Sequence, residues 1–166
     1  MAYKNKTYVC FDADSDIKYY NLMKAWKEND SIAFDFYNAH DINNLRDGSS
    51  EAQIKKKLRE RLQNTKVLVI LIGKSTKNLY KYVRWEIEYA IEKNIPIIAV
   101  NLNKSKTQDN LCPPLLKKEL AIYIPFGQKI MDYALNDWPS SHTKHKANGD
   151  SGPYEYKKSV YDKLGV

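Results

Sequence analysis

The sequence predicts an α/β domain in which a small, mostly parallel β-sheet lies between two layers of helices. Two continuous apolar runs, Val67–Ile72 and Ile95–Val100, are rich in β-branched residues, as strands buried on both faces are. Other short apolar runs alternate with segments whose apolar residues recur every three or four positions, the spacing of amphipathic helices. The 166 residues correspond to about one domain, so we expect a single domain over residues 1–166.

The first part of the chain predicts a strand, a helix, a second strand and a long loop. The strands are Thr7–Phe11 and Ile32–Phe36, and the loop is Tyr37–Ser50, which contains several turn-forming residues. The helix between the strands carries one apolar stripe, made of Ile17, Tyr20, Met23 and Trp26.

The middle of the chain predicts two helices and the two most apolar strands. Ser49 and Ser50 are good N-caps for a helix whose buried stripe is Ile54, Leu58 and Leu62. Strand Val67–Ile72 follows, then the polar loop Gly73–Leu79. A second helical stripe, made of Val83, Ile87, Ala90 and Ile91, precedes strand Ile95–Val100.

The last third predicts a fifth strand at a sheet edge, followed by a helix and a loop. The strand is Ala121–Pro125, after a short helical segment at Leu115–Leu120, and the helix is Gly127–Asp137. Residues 139–153 are polar and rich in Gly, Ser, His and Lys, so we expect a mobile surface loop there. Weak helical spacing returns over Tyr154–Leu164.

The alternation of five strands with helices predicts right-handed crossovers and helices on both faces of the sheet. The two most apolar strands belong at the centre, and the second and fifth strands belong at the edges. The strand order 2-1-3-4-5 of flavodoxin-like three-layer folds fits this pattern best.

Composition and charge exclude several classes of protein. The net charge is +7, but the lysines are spread over helix faces and both termini, and no nucleic-acid-binding motif accompanies them. The N-terminus lacks a signal-peptide pattern, and the longest apolar runs are too short to span a bilayer. Two cysteines without a disulfide or metal pattern suit a reducing compartment. We therefore expect a cytoplasmic protein that binds neither nucleic acid nor membrane.

In a sheet of this order, ligands bind at the carboxyl ends of the strands, between strands one and three. The segments expected there are Phe11–Asp16, Tyr37–Ser50, Gly73–Leu79 and the helix start Arg84–Glu86. No phosphate-binding glycine loop, zinc-ligand spacing or G-x-S-x-G nucleophile elbow is present. A response-regulator pocket also lacks its phospho-acceptor Asp after strand three, where Gly73 stands. We therefore expect no metal.

Three segments together resemble the TIR-like domain proteins of the Thoeris anti-phage defence family. YVCFDADSD is similar to the opening strand and loop of that family, and NTKVLVILIGKST resembles its third strand and following loop. YVRWEIEYAIEKNIPIIAV resembles its signature of an aromatic residue, a helix with a glutamate, and a strand. The resemblance covers about Tyr8 to Asn101. Where many members carry Trp before Val, this chain has Tyr82.

The resemblance implies an enzyme that cleaves NAD at the nicotinamide–ribose bond and depends on a glutamate, here Glu86. The spacing allows this role, because Glu86 lies three residues after Val83 and four before Ala90, on the border of the buried helix face. The alternative is an ordinary border residue that pairs with a nearby Arg or Lys. Glu88 is expected to face solvent.

The loop after strand one lines the pocket in TIR enzymes, which makes Phe11, Asp12 and Asp14 candidate NAD-binding residues. Each also has a structural alternative. Phe11 is equally a candidate core residue. Asp12 and Asp14 either bind ribose hydroxyls or belong to a helix cap formed through Asp14 and Ser15.

Further candidate NAD-binding residues are Arg46, Asp47, Lys74, Ser75 and Trp85. Arg46 and Asp47 lie in the loop that resembles the BB loop of TIR domains, which gates the site and takes part in assembly. Three of these residues are candidates to contact phosphate: Arg46, Lys74 and Ser75. The alternative is that each is an exposed surface residue without a role in binding. Trp85 either stacks on a base or packs in the core.

By this resemblance, NAD is a substrate, no cofactor is bound permanently, and the product is a cyclic or linear ADP-ribose signal that acts on a separate effector. Homo-oligomers through TIR-like contacts are a further expectation. Two other functions stay open. One is a non-catalytic TIR-like signalling, nucleotide-binding or scaffold module, and the other is a nucleoside deoxyribosyltransferase-like hydrolase.

Overall fold

The computed structural model describes residues 7–29, 36–37, 50–79 and 82–166. Its strands are β1 (Thr7–Cys10), β2 (Phe36–Tyr37), β3 (Val67–Ile72), β4 (Ile97–Asn101), β5 (Ala121–Pro125) and β6 (Pro153–Glu155). Its helices are α1 (Ala13–Glu28), α2 (Glu51–Leu62), α3 (Tyr82–Glu92), α4 (Gln128–Ala147) and α5 (Lys158–Leu164). Two short 3-10 helices cover Thr76–Asn78 and Pro114–Leu116.

The described strands form one parallel sheet in the order β2-β1-β3-β4-β5-β6. The predicted order of the first five strands is confirmed. The prediction of five strands with β5 at an edge is wrong, because β6 pairs with β5 and takes the edge position. Strand β6 has three residues, and the sequence Gly152-Pro153 at its start is typical of a loop, so its pairing was not visible in the sequence: Gly152 precedes the strand and Pro153 is its first residue.

Helices cover both faces of the sheet, as predicted. Every residue of β3 is buried, which requires cover on both sides. Phe11, just after β1, stacks on Tyr20 of α1 with ring centroids 4.9 Å apart, and α2 packs against α3. Because side chains alternate along a strand, Tyr8 and Cys10 point away from α1, toward the side that α2 and α3 cover.

Helix α4 corrects the prediction of a mobile loop at 139–153. It runs through Pro139 to Ala147, past the predicted end at Asp137. Proline removes one helical hydrogen bond, yet Trp138 and His142, four residues apart, are both buried. The Trp138 ring also packs against Tyr154 of β6, so burial of this helix face offsets the lost bond.

Other boundaries agree with the sequence to within a few residues. Ser50 caps α2 in a capping box: its hydroxyl accepts from the amide of Gln53 (3.2 Å), whose side chain accepts from the amide of Ser50 (3.0 Å). Strand β4 begins two residues later than predicted, at Ile97. Of the predicted second strand and the loop after it, only residues 36, 37 and 50 belong to the described part, and β2 there is Phe36–Tyr37.

Candidate functional site

The loops after β1 and β3 are joined by a hydrogen bond between two of the predicted site residues. The hydroxyl of Ser75 donates to Oδ2 of Asp12 (2.6 Å), and the backbone amide of Asp14 donates to Oδ1 of Asp12 (3.1 Å). Asp12 is therefore the N-cap of α1. The prediction that Asp14 and Ser15 cap this helix is wrong, because Asp12 is the N-cap. The Asp14 side chain is exposed in the first turn of α1.

Asp16, one helical turn after Asp12, belongs to the segment Phe11–Asp16 that was expected at the site, but it was not among the predicted binding residues. Its side chain is buried, with only 7% of the residue exposed, and its Oδ2 has no hydrogen-bond partner within the described ranges. Burial raises the pKa of the Asp16 carboxyl, and the charge of Asp12 raises it further, while Lys18 opposes the rise. The signal in the sequence was the four-residue spacing between Asp12 and Asp16, which places both carboxylates on one helix face.

Gly73 lies directly against the Asp16 carboxylate. A Cβ added at Gly73 would come within 2.4 Å of Asp16 Oδ2. Such an approach is too close for any side chain, so glycine leaves the space that the carboxylate occupies. An aspartate at position 73, where a response regulator has its phospho-acceptor, would therefore overlap the Asp16 carboxylate in this chain.

Asp16 and Gly73 line a cavity of about 370 Å³, which we call the α1 cavity. It opens at the carboxyl ends of β3 and β4, next to the position between β1 and β3 where this strand order is expected to place a ligand. Lys74 and Ser75, both predicted site residues, contribute to its wall. Further lining residues are Lys18, Tyr19, Leu102 and Leu111.

Glu86 is in the second turn of α3, and it is buried with 5% of the residue exposed. Burial raises the pKa of the Tyr8 hydroxyl well above its usual value, and the neighbouring charge of Glu86 raises it further, while Arg61 has the opposite effect. Glu86 therefore faces β1 rather than solvent. Glu88 is exposed, as predicted, and accepts a hydrogen bond from Arg84 (2.8 Å).

The predicted site residues that the structure describes lie in two separate places. Asp12, Lys74 and Ser75 meet at the α1 side of the sheet, whereas Glu86 lies near Tyr8 on the side that α2 and α3 cover. The physical reason is the topology, because crossovers on either side of the switch point place their helices on opposite faces.

The remaining predicted residues have structural environments or lie outside the described part. Phe11 is buried against Tyr20, so core packing accounts for it. The half-buried Trp85 makes an edge contact with Tyr82 (5.4 Å between centroids), and the ammonium of Lys55 lies 4.5 Å from its ring centre. Arg46 and Asp47 fall outside the described residues. Their roles in binding NAD stay predictions.

Two general properties of the described residues bear on the class of site. Within ranges 7–29, 36–37, 50–79 and 82–166, no group of three or more His, Cys, Asp or Glu side chains has an arrangement that would hold a metal ion. No helix in those ranges is both long enough and apolar enough to cross a bilayer.

A family model described as "Thoeris protein ThsB, TIR-like domain" matches residues 8–107, which is more than half of the chain. The match begins in β1, includes Glu86 and Ser75, and ends after β4. It confirms the resemblance drawn from the three sequence segments and supports a role in Thoeris defence. The chain therefore belongs to the family of TIR-like domains of Thoeris protein ThsB.

Proposed function

We propose that this chain is an NAD-consuming enzyme in which Glu86 is the catalytic carboxylate. The observation that supports this proposal is the burial of Glu86 on α3, inside the segment that resembles the glutamate-bearing signature of the family. Glutamate is rarely buried to this extent unless it has a partner or a function, because the desolvation of its charge is costly.

The helix itself supports a special role for Glu86. Its stripe residues Val83, Ile87 and Ala90 are buried, as an amphipathic helix requires, and an apolar residue would suit position 86 equally well. Two residues further on, Glu88 reaches solvent and pairs with Arg84. A carboxylate that served only solubility would have been placed on that outer face, as Glu88 is.

In the proposed reaction, the bond between the nicotinamide nitrogen and C1′ of the ribose breaks. The bonding electron pair leaves with nicotinamide, which becomes neutral, and positive charge develops on the ribose as an oxocarbenium ion. The Glu86 carboxylate stabilises that charge electrostatically and accepts hydrogen bonds from ribose hydroxyls. Water then adds to C1′ and loses a proton, which gives ADP-ribose. Attack by a group of the same molecule gives a cyclic product instead.

The product acts in this proposal as a diffusible signal to a separate effector, in keeping with a role in Thoeris defence. The chain beyond residue 107, which includes β5, α4 and β6, lies outside the family match. In this proposal, loops in this part of the chain set product specificity.

The test compares Glu86→Gln with the matched control Glu88→Gln, which alters an exposed carboxylate on the same helix. Nicotinamide release and new nucleotides are measured by mass spectrometry in extracts of phage-infected cells that carry each variant. We expect Glu86→Gln to lower the rate by about two to four orders of magnitude, or roughly 3–5 kcal/mol, and the control to leave it unchanged. Equal rates in wild type and Glu86→Gln would reject the catalytic assignment.

A second candidate function follows from the burial of Glu86 close to Tyr8. This buried pair also suits a structural carboxylate in a non-catalytic TIR-like binding module. Tyr8→Phe and Glu86→Gln separate the two functions when unfolding is measured in urea. A module whose Glu86 is structural loses stability in both variants, whereas a catalytic Glu86 is replaced with little loss. Thermal shifts with NAD, without nicotinamide release in infected extracts, would favour the module.

A further inference from the structure

We propose that the α1 cavity is a binding site for a small phosphorylated sugar. Asp16 accepts hydrogen bonds from the sugar hydroxyls, and Lys18 and Lys74 lie beside the phosphate. This site is on the opposite face of the sheet from Glu86, so the inference does not depend on the proposed function. It concerns a second ligand of the chain, and it assigns Lys74, a predicted NAD-binding residue, to that ligand.

The Asp16 carboxylate is the main support for a ligand. It is nine-tenths buried, it lines the cavity, and its Oδ2 has no hydrogen-bond donor in the part of the chain that the structure describes. Buried acceptors of this kind are nearly always satisfied in proteins. A ligand that donates hydrogen bonds would satisfy Asp16 once the carboxylate turns from Gly73 toward the cavity, and a pair of sugar hydroxyls matches the two oxygens of a carboxylate.

Gly73 leaves room for the Asp16 carboxylate at the wall of the cavity. Because its Cα lies against Asp16, any side chain at this position would overlap Oδ2 and displace it. The neighbouring backbone is held by a second contact, in which the amide of Gly73 donates to the hydroxyl of Thr76 (2.9 Å). The Asp16 carboxylate at the cavity wall therefore lies against a loop whose backbone is held in place.

The distribution of charge indicates the rest of the ligand. Two lysines, Lys18 and Lys74, line the same cavity as the single buried carboxylate, and the Lys18 ammonium is near enough to Asp16 to oppose the rise in its pKa. Asp12 lies behind the lining residue Ser75 and does not line the cavity, so the lysines provide the charges at its surface and favour an anionic group such as phosphate. A neutral hydroxyl region next to an anionic group describes a sugar phosphate.

The size and walls of the cavity agree with this class of ligand. About 370 Å³ lies near the lower end of the roughly 300–1,000 Å³ that is typical of small-molecule sites. This volume suits one sugar with one phosphate better than a dinucleotide. Tyr19, Leu102 and Leu111 provide apolar wall area for the carbon face of a sugar ring.

The experiment titrates the full chain with ribose 5-phosphate and follows backbone amide signals by NMR, with ribose and inorganic phosphate as comparison ligands. We expect a dissociation constant below about 1 mM for ribose 5-phosphate, with the largest shifts at Gly73 and Lys74. Asp16→Asn should weaken binding by at least about tenfold, the usual effect of losing a charge-assisted hydrogen bond. Glu28→Gln, which alters an exposed carboxylate at the other end of the same helix, is the matched control and should leave binding unchanged.

Several results would overturn the proposal. One is the absence of shifts at Gly73 and Lys74 up to about 10 mM ribose 5-phosphate. Another is equal affinity of the wild-type chain for inorganic phosphate and ribose 5-phosphate, which would leave only an anion contact at the lysines. This second comparison needs no variant, so it remains decisive if Asp16→Asn does not fold. Glu86→Gln should keep full affinity, which separates this site from the proposed catalytic one.

Discussion

Gly73→Ala tests the close packing of Asp16 against the loop after β3. The new Cβ would lie 2.4 Å from Oδ2, 2.8 Å from Oδ1 and 2.9 Å from Cγ of Asp16. All three distances are shorter than side-chain carbons tolerate, so the carboxylate has to move. Overpacking of this kind costs about 1–3 kcal/mol. Because Asp16 is able to rotate toward the adjacent cavity, we expect the lower half of that range, about 1–2 kcal/mol.

Urea unfolding followed by circular dichroism measures this loss of stability. With a slope of about 2 kcal/mol per molar urea, the midpoint should fall by roughly 0.5–1 M. Gly127→Ala is the matched control, because its Cβ would meet only Ile130 Cγ2 at an ordinary 3.5 Å. We expect the control to change stability by less than about 1 kcal/mol.

A double-mutant cycle shows whether the cost comes from the Asp16 carboxylate. In an Asp16→Ala background the obstacle is gone, so Gly73→Ala should become nearly neutral, and the coupling energy should equal most of the single-variant cost. Two results would refute the steric argument. One is a single-variant cost below about 0.5 kcal/mol, and the other is an unchanged cost in the Asp16→Ala background.

Three further predictions concern a cap, a buried imidazole and the thiols. Ser50→Ala removes the capping box with Gln53 and should lower the free energy of unfolding by about 0.5–2 kcal/mol in urea. Burial, with the charges of Lys146 and His145, lowers the pKa of His142 to about 4, so its neutral form is favoured in the folded state. The stability that comes from burying a neutral His142 is present above pH 6.5 and should be lost as the pH falls from about 6.5 to 4. His142→Gln should flatten that part of the plot of unfolding free energy against pH. Cys10 and Cys112 are buried, and burial raises the pKa of the Cys112 thiol, so a thiol reagent at pH 7.5 should label the native chain at least about a hundredfold more slowly than the unfolded chain.

Each of these predictions has an outcome that contradicts it. An unchanged unfolding midpoint in Ser50→Ala would mean that the cap contributes nothing to α2. A pH profile that is the same in wild type and His142→Gln would assign the acid sensitivity to other groups. Rapid labelling of the native chain would show that one thiol reaches solvent through local opening.

Local sequence pattern was sufficient for the central part of the fold. β3 and β5 have the predicted bounds, because continuous apolar runs between polar turns have few alternatives to a buried strand. The predicted N-cap at Ser50 and the predicted stripe of α2 are also present. The strand order followed from the alternation of elements and from the apolar content of the central strands.

The C-terminal part was predicted less well, because distant contacts override local signals there. Pro139 normally indicates a helix end, but burial of Trp138 and His142 extends α4 past it. Gly152-Pro153 normally indicates a loop, but pairing with β5 makes Pro153–Glu155 a strand. Packing against residues far away in the chain decided both elements.

By itself, the sequence determined the α/β class, the central parallel strands and the likeness to TIR-like Thoeris proteins, since these depend on periodicity and short motifs. Only the tertiary structure decided which side chains meet. Ser75 bonds Asp12 from 63 positions away, Gly73 makes room for Asp16, and Glu86 faces Tyr8 across the space between α3 and β1. Such contacts depend on how helices and strands are placed against one another, and no local pattern of residues encodes that placement.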